Sequence, residues 1–226
     1  MLKLRLFGFA IIRPMRKILT IIGIILIISS CKQDVYEKGD GDLSYMQTEY
    51  ADVTLSGGYV KSVITDKGVN LPIPEIWKAQ QDIKTDTLFR RLLYYKTDGK
   101  VFTELLDAKP VAILKPHTPQ DIGEMKTDPV KLIAAAGSAN GKYANIHLGI
   151  MTGNAAGTSQ LLRFRLDSEH SIDKGRRNIT LYHNQAGQPE YYTQDIYLSL
   201  PFGTQDTLDI TFNTYSGVER RILVRK

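Results

Sequence analysis

Residues 140–152 read Asn-Gly-Lys-Tyr-Ala-Asn-Ile-His-Leu-Gly-Ile-Met-Thr, and this stretch decides the fold. From Tyr143 onward, Ala144, Ile146, Leu148 and Ile150 occupy every second position, with Tyr143, Asn145 and His147 between them. A period of two marks a strand with one buried face, because successive side chains of an extended chain point to opposite sides. Asn140-Gly141 just before it is a hairpin signal, since both residues tolerate positive φ. The run Val130–Ala136 is then the partner strand.

The same period recurs toward the C-terminus. Leu162, Phe164 and Leu166 mark a strand over Gln160–Asp167, and Ile179 and Leu181 mark one over Asn178–His183. Tyr192, Ile196, Leu198 and Leu200 share a face, and Leu208, Ile210 and Phe212 alternate with Asp209, Thr211 and Asn213. Ser216-Gly217 turns into a closing strand with Val218, Ile222 and Val224 expected inward. Seven strands with short turns predict an antiparallel β-sandwich over residues 130–226.

Upstream, Ala51, Val53 and Leu55 alternate with Asp52 and Thr54, and Tyr59–Thr65 follows with Val60 and Ile64 on one side. Val69–Ile73 is bracketed by Pro72 and Pro74, which argue for a sheet edge. A short helix is expected over Glu75–Ile83, then strands over Thr87–Lys96 and Val101–Leu114. Five strands and one helix fit a small OB-like barrel over residues 46–116. Residues 117–129 carry His117, prolines and charges without apolar periodicity and read as a linker. The expected fold class is all-β.

The N-terminus is a different object. Met15-Arg-Lys, the aliphatic run Ile18–Ile28 and Ser29-Ser30-Cys31 form a basic, then apolar, then small-residue sequence, the mark of a cleaved export signal over residues 1–30. The apolar run is shorter than the ~20 residues a membrane span needs. Ile28-Ser29-Ser30-Cys31 resembles a lipobox, so Cys31 is the expected lipidation site, with palmitate or a similar acyl group as its load. Two acyl chains hold a protein on a bilayer where one does not. Residues 1–14 add an apolar patch that no signal peptide needs, which leaves Met1 and Met15 both as starts. Residues 31–45 are polar and Gly-containing and read as a tether. Lys32 after the cysteine favours the outer membrane of a cell envelope.

The chain holds 29 Lys+Arg against 24 Asp+Glu, but five of those bases and none of the acids lie in residues 1–30. The remainder is formally neutral, which argues against nucleic acid as a partner. With a single cysteine no internal disulfide forms.

The order of a lipoprotein signal, a tether, a small barrel and a β-sandwich resembles the NigD-like lipoproteins. The local likenesses are Asp128–Lys131, Tyr143–Gly149, Leu181–Glu190 and Asp206–Phe212. That family commonly carries a longer acidic run after the lipid cysteine, whereas Lys32-Gln33-Asp34 has one acid. The resemblance implies no enzymatic activity, and suggests an immunity-like, bacteriocin-associated role.

No motif for chemistry stands against this. His117, His147, His170 and His183 lack metal-ligand spacing. There is no Gly-x-Ser-x-Gly, and Ser56-Gly57-Gly58 reads as a turn. Gly149–Gly157 lacks the Lys-Ser/Thr of a phosphate loop, and Asp40-Gly41-Asp42 lacks a calcium-loop pattern. No cofactor or metal is expected. Aromatic residues are the candidate contacts: Trp77, Tyr191 and Tyr192, with Tyr94-Tyr95 as a second doublet. Exposed rings anchor protein partners or stack on sugars, so the expected partner is an envelope protein or a glycan.

Overall fold

The computed structural model describes residues 46–57, 59–72, 87–98, 101–153, 157, 159–167 and 175–226. The export signal, Cys31, the tether, Trp77, the helix expected at 75–83 and His170 lie outside these residues. The described chain carries β1 (Met46–Ser56), β2 (Tyr59–Thr65), β3 (Asn70–Leu71), β4 (Leu88–Asp98), β5 (Val101–Ile113) and β6 (Pro116–His117). A short helix α1 (Pro119–Ile122) follows, then β7 (Lys131–Gly137), β8 (Tyr143–Thr152), β9 (Leu161–Leu166), β10 (Arg176–Asn184), β11 (Tyr192–Pro201), β12 (Thr207–Thr214) and β13 (Gly217–Val224). The protein is all-β, as its periodicity requires.

The strands form two sheets, in the orders β3-β2-β1-β4-β5-β11-β8-β7 and β13-β12-β10-β9-β6. The seven strands of residues 130–226 thus divide three against four, and the N-terminal strands extend both sheets through β5 and β6. Between the sheets lies the main core, which includes Ile146, Leu148, Phe164, Ile179, Leu198, Leu200, Ile210 and Phe212. Strands β1 to β5 curl around a second core of Ala51, Val53, Val63, Leu71, Leu93 and Tyr95. Among the described residues no pairing closes β3 onto β5, so the barrel expected there is open, as five-stranded Greek-key barrels partly are. Residues 117–129 hold more than a linker: Thr118 accepts from the Asp121 amide, the Asp121 carboxylate caps Thr118 in return, and α1 forms between them.

Three expectations need correction. The sandwich is not wholly antiparallel, because β10 and β12 pair in parallel, Ile179 facing Ile210. The short connection after β10 is an arch that carries the chain to the other sheet, and β12 returns beside β10. In β2 Ile64 is exposed while Val63 is buried, because a bulge at Thr54/Leu55 shifts the β1–β2 register and lets Val60 and Val63 both reach the core. In β13 Val218 and Ile222 are 74% and 56% exposed, and Leu223 is the buried residue. Leu223 faces Leu208 across the ladder, so the other parity, including Val224, points away from the core.

The turn before β8 shows why sequence fixes it. Gly141 has φ +67°, and a Cβ there would sit 2.7 Å from the Lys226 carbonyl oxygen. Asn140 works through its side chain: its Oδ1 accepts from the Ser138 hydroxyl at 2.7 Å and from the Lys142 amide at 3.0 Å.

The large sheet coils until the turn after β2 comes back over β8, and Arg90 of β4 holds that closure. Its side chain is fully buried. Nη1 donates to Asp52 at 2.6 Å, Nη2 to both Asp66 carboxylate oxygens at 2.9 and 3.0 Å, and Nε to the Ser199 hydroxyl at 2.9 Å. The Tyr143 ring lies under the guanidinium, 4.0 Å to its centroid. Burial works against the charge, yet the two carboxylates outweigh it and hold Arg90 above its ordinary pKa.

Candidate functional site

Strand β11 carries Tyr192, Gln194, Ile196, Leu198 and Leu200 on its inward parity. Leu198 and Leu200 are core residues, Ile196 packs against them, and Gln194 and Tyr192 emerge into solvent. The sheets therefore part toward the start of β11. Between them opens a cleft of about 480 Å³, with Ile150, Ile196 and Leu198 at its base, Leu161 and Leu162 on the β9 wall and Ala112 and Leu114 where β5 leaves. Its polar lining is Thr152, Ser159, Gln160, Gln188 and Gln194, and among the described residues none of its lining side chains is ionisable.

The amides are held in place. Gln160 Nε2 donates to the Met151 carbonyl at 2.7 Å, which turns its Oε1 toward His183 Nε2 at 2.8 Å. The other ring nitrogen, Nδ1, lies 3.0 Å from the Asp128 carbonyl. Burial pulls the His183 pKa below its ordinary value and outweighs the hydrogen bond from Asp128. Gln188 is buried at the end of a turn in which Ala186 takes φ +53° and its amide donates to Asn184 Oδ1 at 2.9 Å. The Gln185 amide side chain braces that turn by donating to the Gln188 carbonyl at 2.8 Å.

Tyrosines cluster where the chain enters β11. Tyr192 is 45% exposed on the same parity as Gln194, and Tyr191 is 80% exposed. Gly153 lets the Pro189–Tyr191 stretch lie close, since a Cβ there would come within 2.4 Å of Pro189 Cγ and 2.8 Å of Tyr191 Cδ2. Tyr215 donates to Glu190 at 3.1 Å, and burial followed by that hydrogen bond pushes its pKa up to about 12. Amides and hydroxyls over an aliphatic floor, flanked by rings, supply recognition chemistry: directional hydrogen bonds in a partly dry setting.

A second depression of about 280 Å³ borders the Arg90 cluster, lined in part by Tyr50, Asp66, Asn145 and His147. His147 Nε2 lies 3.0 Å from the Asp195 carboxylate, and its ring stacks on Tyr197 at 4.4 Å. Among the described residues no three His, Cys, Asp or Glu converge as metal ligands.

Of the candidate contacts, Tyr191 and Tyr192 both lie exposed at the start of β11, Tyr192 across the ladder from Thr152 of the cleft. In the doublet Tyr94-Tyr95 one ring is buried and the other half-buried, as alternation demands, whereas both Tyr191 and Tyr192 are out because Tyr191 precedes β11. Residue-by-residue reading missed Gln160, Gln188 and Gln194. Gln194 carried a signal, a polar residue at an inward position in register with Ile196 and Leu198.

The fold and cleft define a class: an all-β sandwich extended by an open N-terminal meander, with a cleft at one end lined, among the described residues, by uncharged side chains. Three solved structures share this fold. A NigD-like immunity protein from Bacteroides caccae is 22% identical with a TM-score of 0.61, covering 77% of this chain and 91% of that one. A toxin-related protein from Parabacteroides distasonis is 14% identical with a TM-score of 0.58, covering 79% and 92%. A protein of unknown function from Bacteroides vulgatus is 14% identical with a TM-score of 0.58, covering 80% and 91%. The likeness to NigD-like proteins read from the sequence is matched at the level of fold. No family model matches the chain, and no curated protein matches it.

Proposed function

We propose that the protein is a non-catalytic cell-envelope lipoprotein, anchored through Cys31, that binds another envelope macromolecule in an immunity-like role. The observation that carries this reading is the cleft at the open end of the sandwich, lined among the described residues by amides, hydroxyls and aliphatic chains, with Tyr191 and Tyr192 exposed at the start of β11, on a fold shared with a NigD-like immunity protein. Exposed tyrosines around a neutral floor suit a partner that buries them centrally, where aromatic residues contribute most. A photo-crosslinking residue in place of Tyr191 or Tyr192 tests it in intact envelopes. A discrete adduct is expected, lost when the crosslinker moves to Lys61 on the far N-terminal meander; adducts of equal yield from both positions refute it. The anchor is tested separately: Cys31→Ser should abolish fatty-acid labelling and release the protein from the outer membrane.

A second reading is a glycan-binding accessory lipoprotein. Three cleft glutamines with Tyr192 at the rim favour it, since amides bond hydroxyls in pairs and a ring covers a sugar face. A glycan array probed with the full chain, without a hit, removes this reading.

A further inference from the structure

Strand β11 is paired along its whole length on one side and over only three residues on the other. Tyr192–Pro201 all face β8, whereas β5 covers only Tyr197, Leu198 and Ser199. The cause is a single residue. The Leu114 amide donates to the Ser199 carbonyl at 3.0 Å, so residues of odd number in this stretch of β11 turn their N–H and C=O toward β5, and even-numbered residues of β5 supply the donors. Four residues further back along each strand, the donor due to meet the Asp195 carbonyl is Pro110, which has no N–H. The parallel ladder stops there and β5 turns away with β4, where Pro110 faces Arg91. Among the described residues the N–H and C=O of Thr193 and Asp195 have no ladder partner, and Tyr192 through Asp195 are exposed.

That free edge runs along the mouth of the cleft. The side chains of Tyr192, Gln194 and Ile196, the inward parity of the same stretch, face the space between the sheets. We propose that the partner enters as an extended polypeptide segment, adding a strand to β11 over Tyr192–Ile196 in the place Pro110 denies to β5. Alternating backbone donors and acceptors at Thr193 and Asp195 fit another backbone strand, and the cleft takes every second side chain of the guest. Because its lining holds no ionisable group among the described residues, those side chains are uncharged: a buried charge would find no counter-ion among them. The guest's remaining side chains face outward beside Thr193, Asp195 and Tyr197. This mode rests on the envelope-binding reading and specifies how that binding occurs.

The probe is a phage-displayed library of short random peptides, panned against the full chain in detergent micelles. Enriched peptides should alternate uncharged apolar residues with unconstrained ones. A synthetic copy of an enriched peptide is then N-methylated one backbone position at a time. Methylation at alternate positions should weaken binding roughly tenfold or more while the intervening positions are indifferent, the signature of ladder pairing. Thr193→Pro removes an edge N–H without touching the β8 ladder, and Gln194→Arg places a charge in the cleft; each should cost a similar factor with an unchanged unfolding midpoint. Should either variant fold poorly, the methylation scan on the unaltered protein still decides. The proposal is overturned by no enrichment, by indifference to the position of methylation, by competition from neutral oligosaccharides alone, or by a dimer that consumes the β11 edge. If Thr193→Pro leaves the envelope adduct of Tyr191 intact, strand addition fails while envelope binding stands; if the wild type yields no adduct, both fail.

Discussion

Replacing Arg90 with methionine isolates the energetics of the junction between the two halves of the chain. Methionine keeps the length of the side chain and removes the charge and every donor. The loss strands two carboxylates, Asp52 and Asp66, whose side chains are each only 10% exposed. It also leaves the Ser199 hydroxyl without its donor and the Tyr143 ring without its cation. Removing one partner of a buried ion pair costs about 3–5 kcal/mol, most of it from the uncompensated charge left behind. Asp66 keeps donors from Asn145 at 2.8 Å and Asn140 at 3.2 Å, and Lys142 lies 3.6 Å from Asp52, so the lower half of that range is expected. For a chain of this size each kcal/mol moves the melting temperature by about 2–4 °C, which puts the shift at roughly 6–16 °C. Urea denaturation of Arg90→Met beside the triple variant Arg90→Met, Asp52→Asn, Asp66→Asn reads both terms. The triple variant should recover most of the loss, since its buried charges are gone. A single variant within about 1 kcal/mol of wild type, or a triple no better than the single, refutes the assignment of Arg90 as the hub.

Asp209 is buried beneath Arg176 and Arg220 on the outer face of β12, and those two cations outweigh burial and hold its pKa below the ordinary value. Its contribution to stability is therefore complete above about pH 5 and lost as the pH falls below the ordinary aspartate value of about 3.9; Asp209→Asn should remove that limb from a stability–pH curve. His183 is shifted in the same sense, but at higher pH: burial lowers its pKa, so the unfolded chain takes up the proton first and stability declines as pH drops through about 6.5. NMR titration of the ring should place its midpoint below that of a free histidine. Gly141→Ala should cost about 1–3 kcal/mol by chemical denaturation, from a left-handed φ and a clash with the Lys226 carbonyl.

Much of the fold was legible because the core is one-sided. Val130–Ala136 and Tyr143–Thr152 were readable to within a residue, since Ala144, Ile146 and Leu148 have no exposure at all and polar residues fill the other parity. Strand β13 misled because most of its apolar residues sit on the outward parity: Val218, Ile222 and Val224 outnumber Leu223, and only the ladder to Leu208 reveals which side is covered. The parallel pairing of β10 with β12 was hidden for a different reason. A short connection has the same composition whether it folds back in one sheet or arches to the other. The exposure of a ring at Tyr191-Tyr192 was readable because an aromatic doublet in an alternating strand forces one ring outward. Arg90 was not, for in Phe89-Arg90-Arg91-Leu92 nothing local separates a buried arginine from its half-buried neighbour. Its burial depends on Asp52, Asp66 and Ser199, which lie 38, 24 and 109 residues away.

The distribution of charge separates the two depressions and sets how the cleft binds. Arg90, Asp52, Asp66 and Lys142 gather at the junction, whereas the cleft is lined by amides, hydroxyls and aliphatic chains alone. Attraction between exposed charges is screened within about 10 Å at moderate salt, while backbone hydrogen bonds and apolar burial are not. Binding at the β11 edge should therefore change less than about twofold between roughly 50 mM and 500 mM sodium chloride. The same titration with Gln194→Glu adds a charge at the rim and should make the binding of a lysine-bearing peptide salt-sensitive. A steep salt dependence in the unaltered protein would mean that the partner is steered by charges such as Asp195 and Glu190 around the rim, and that the neutral floor contributes little.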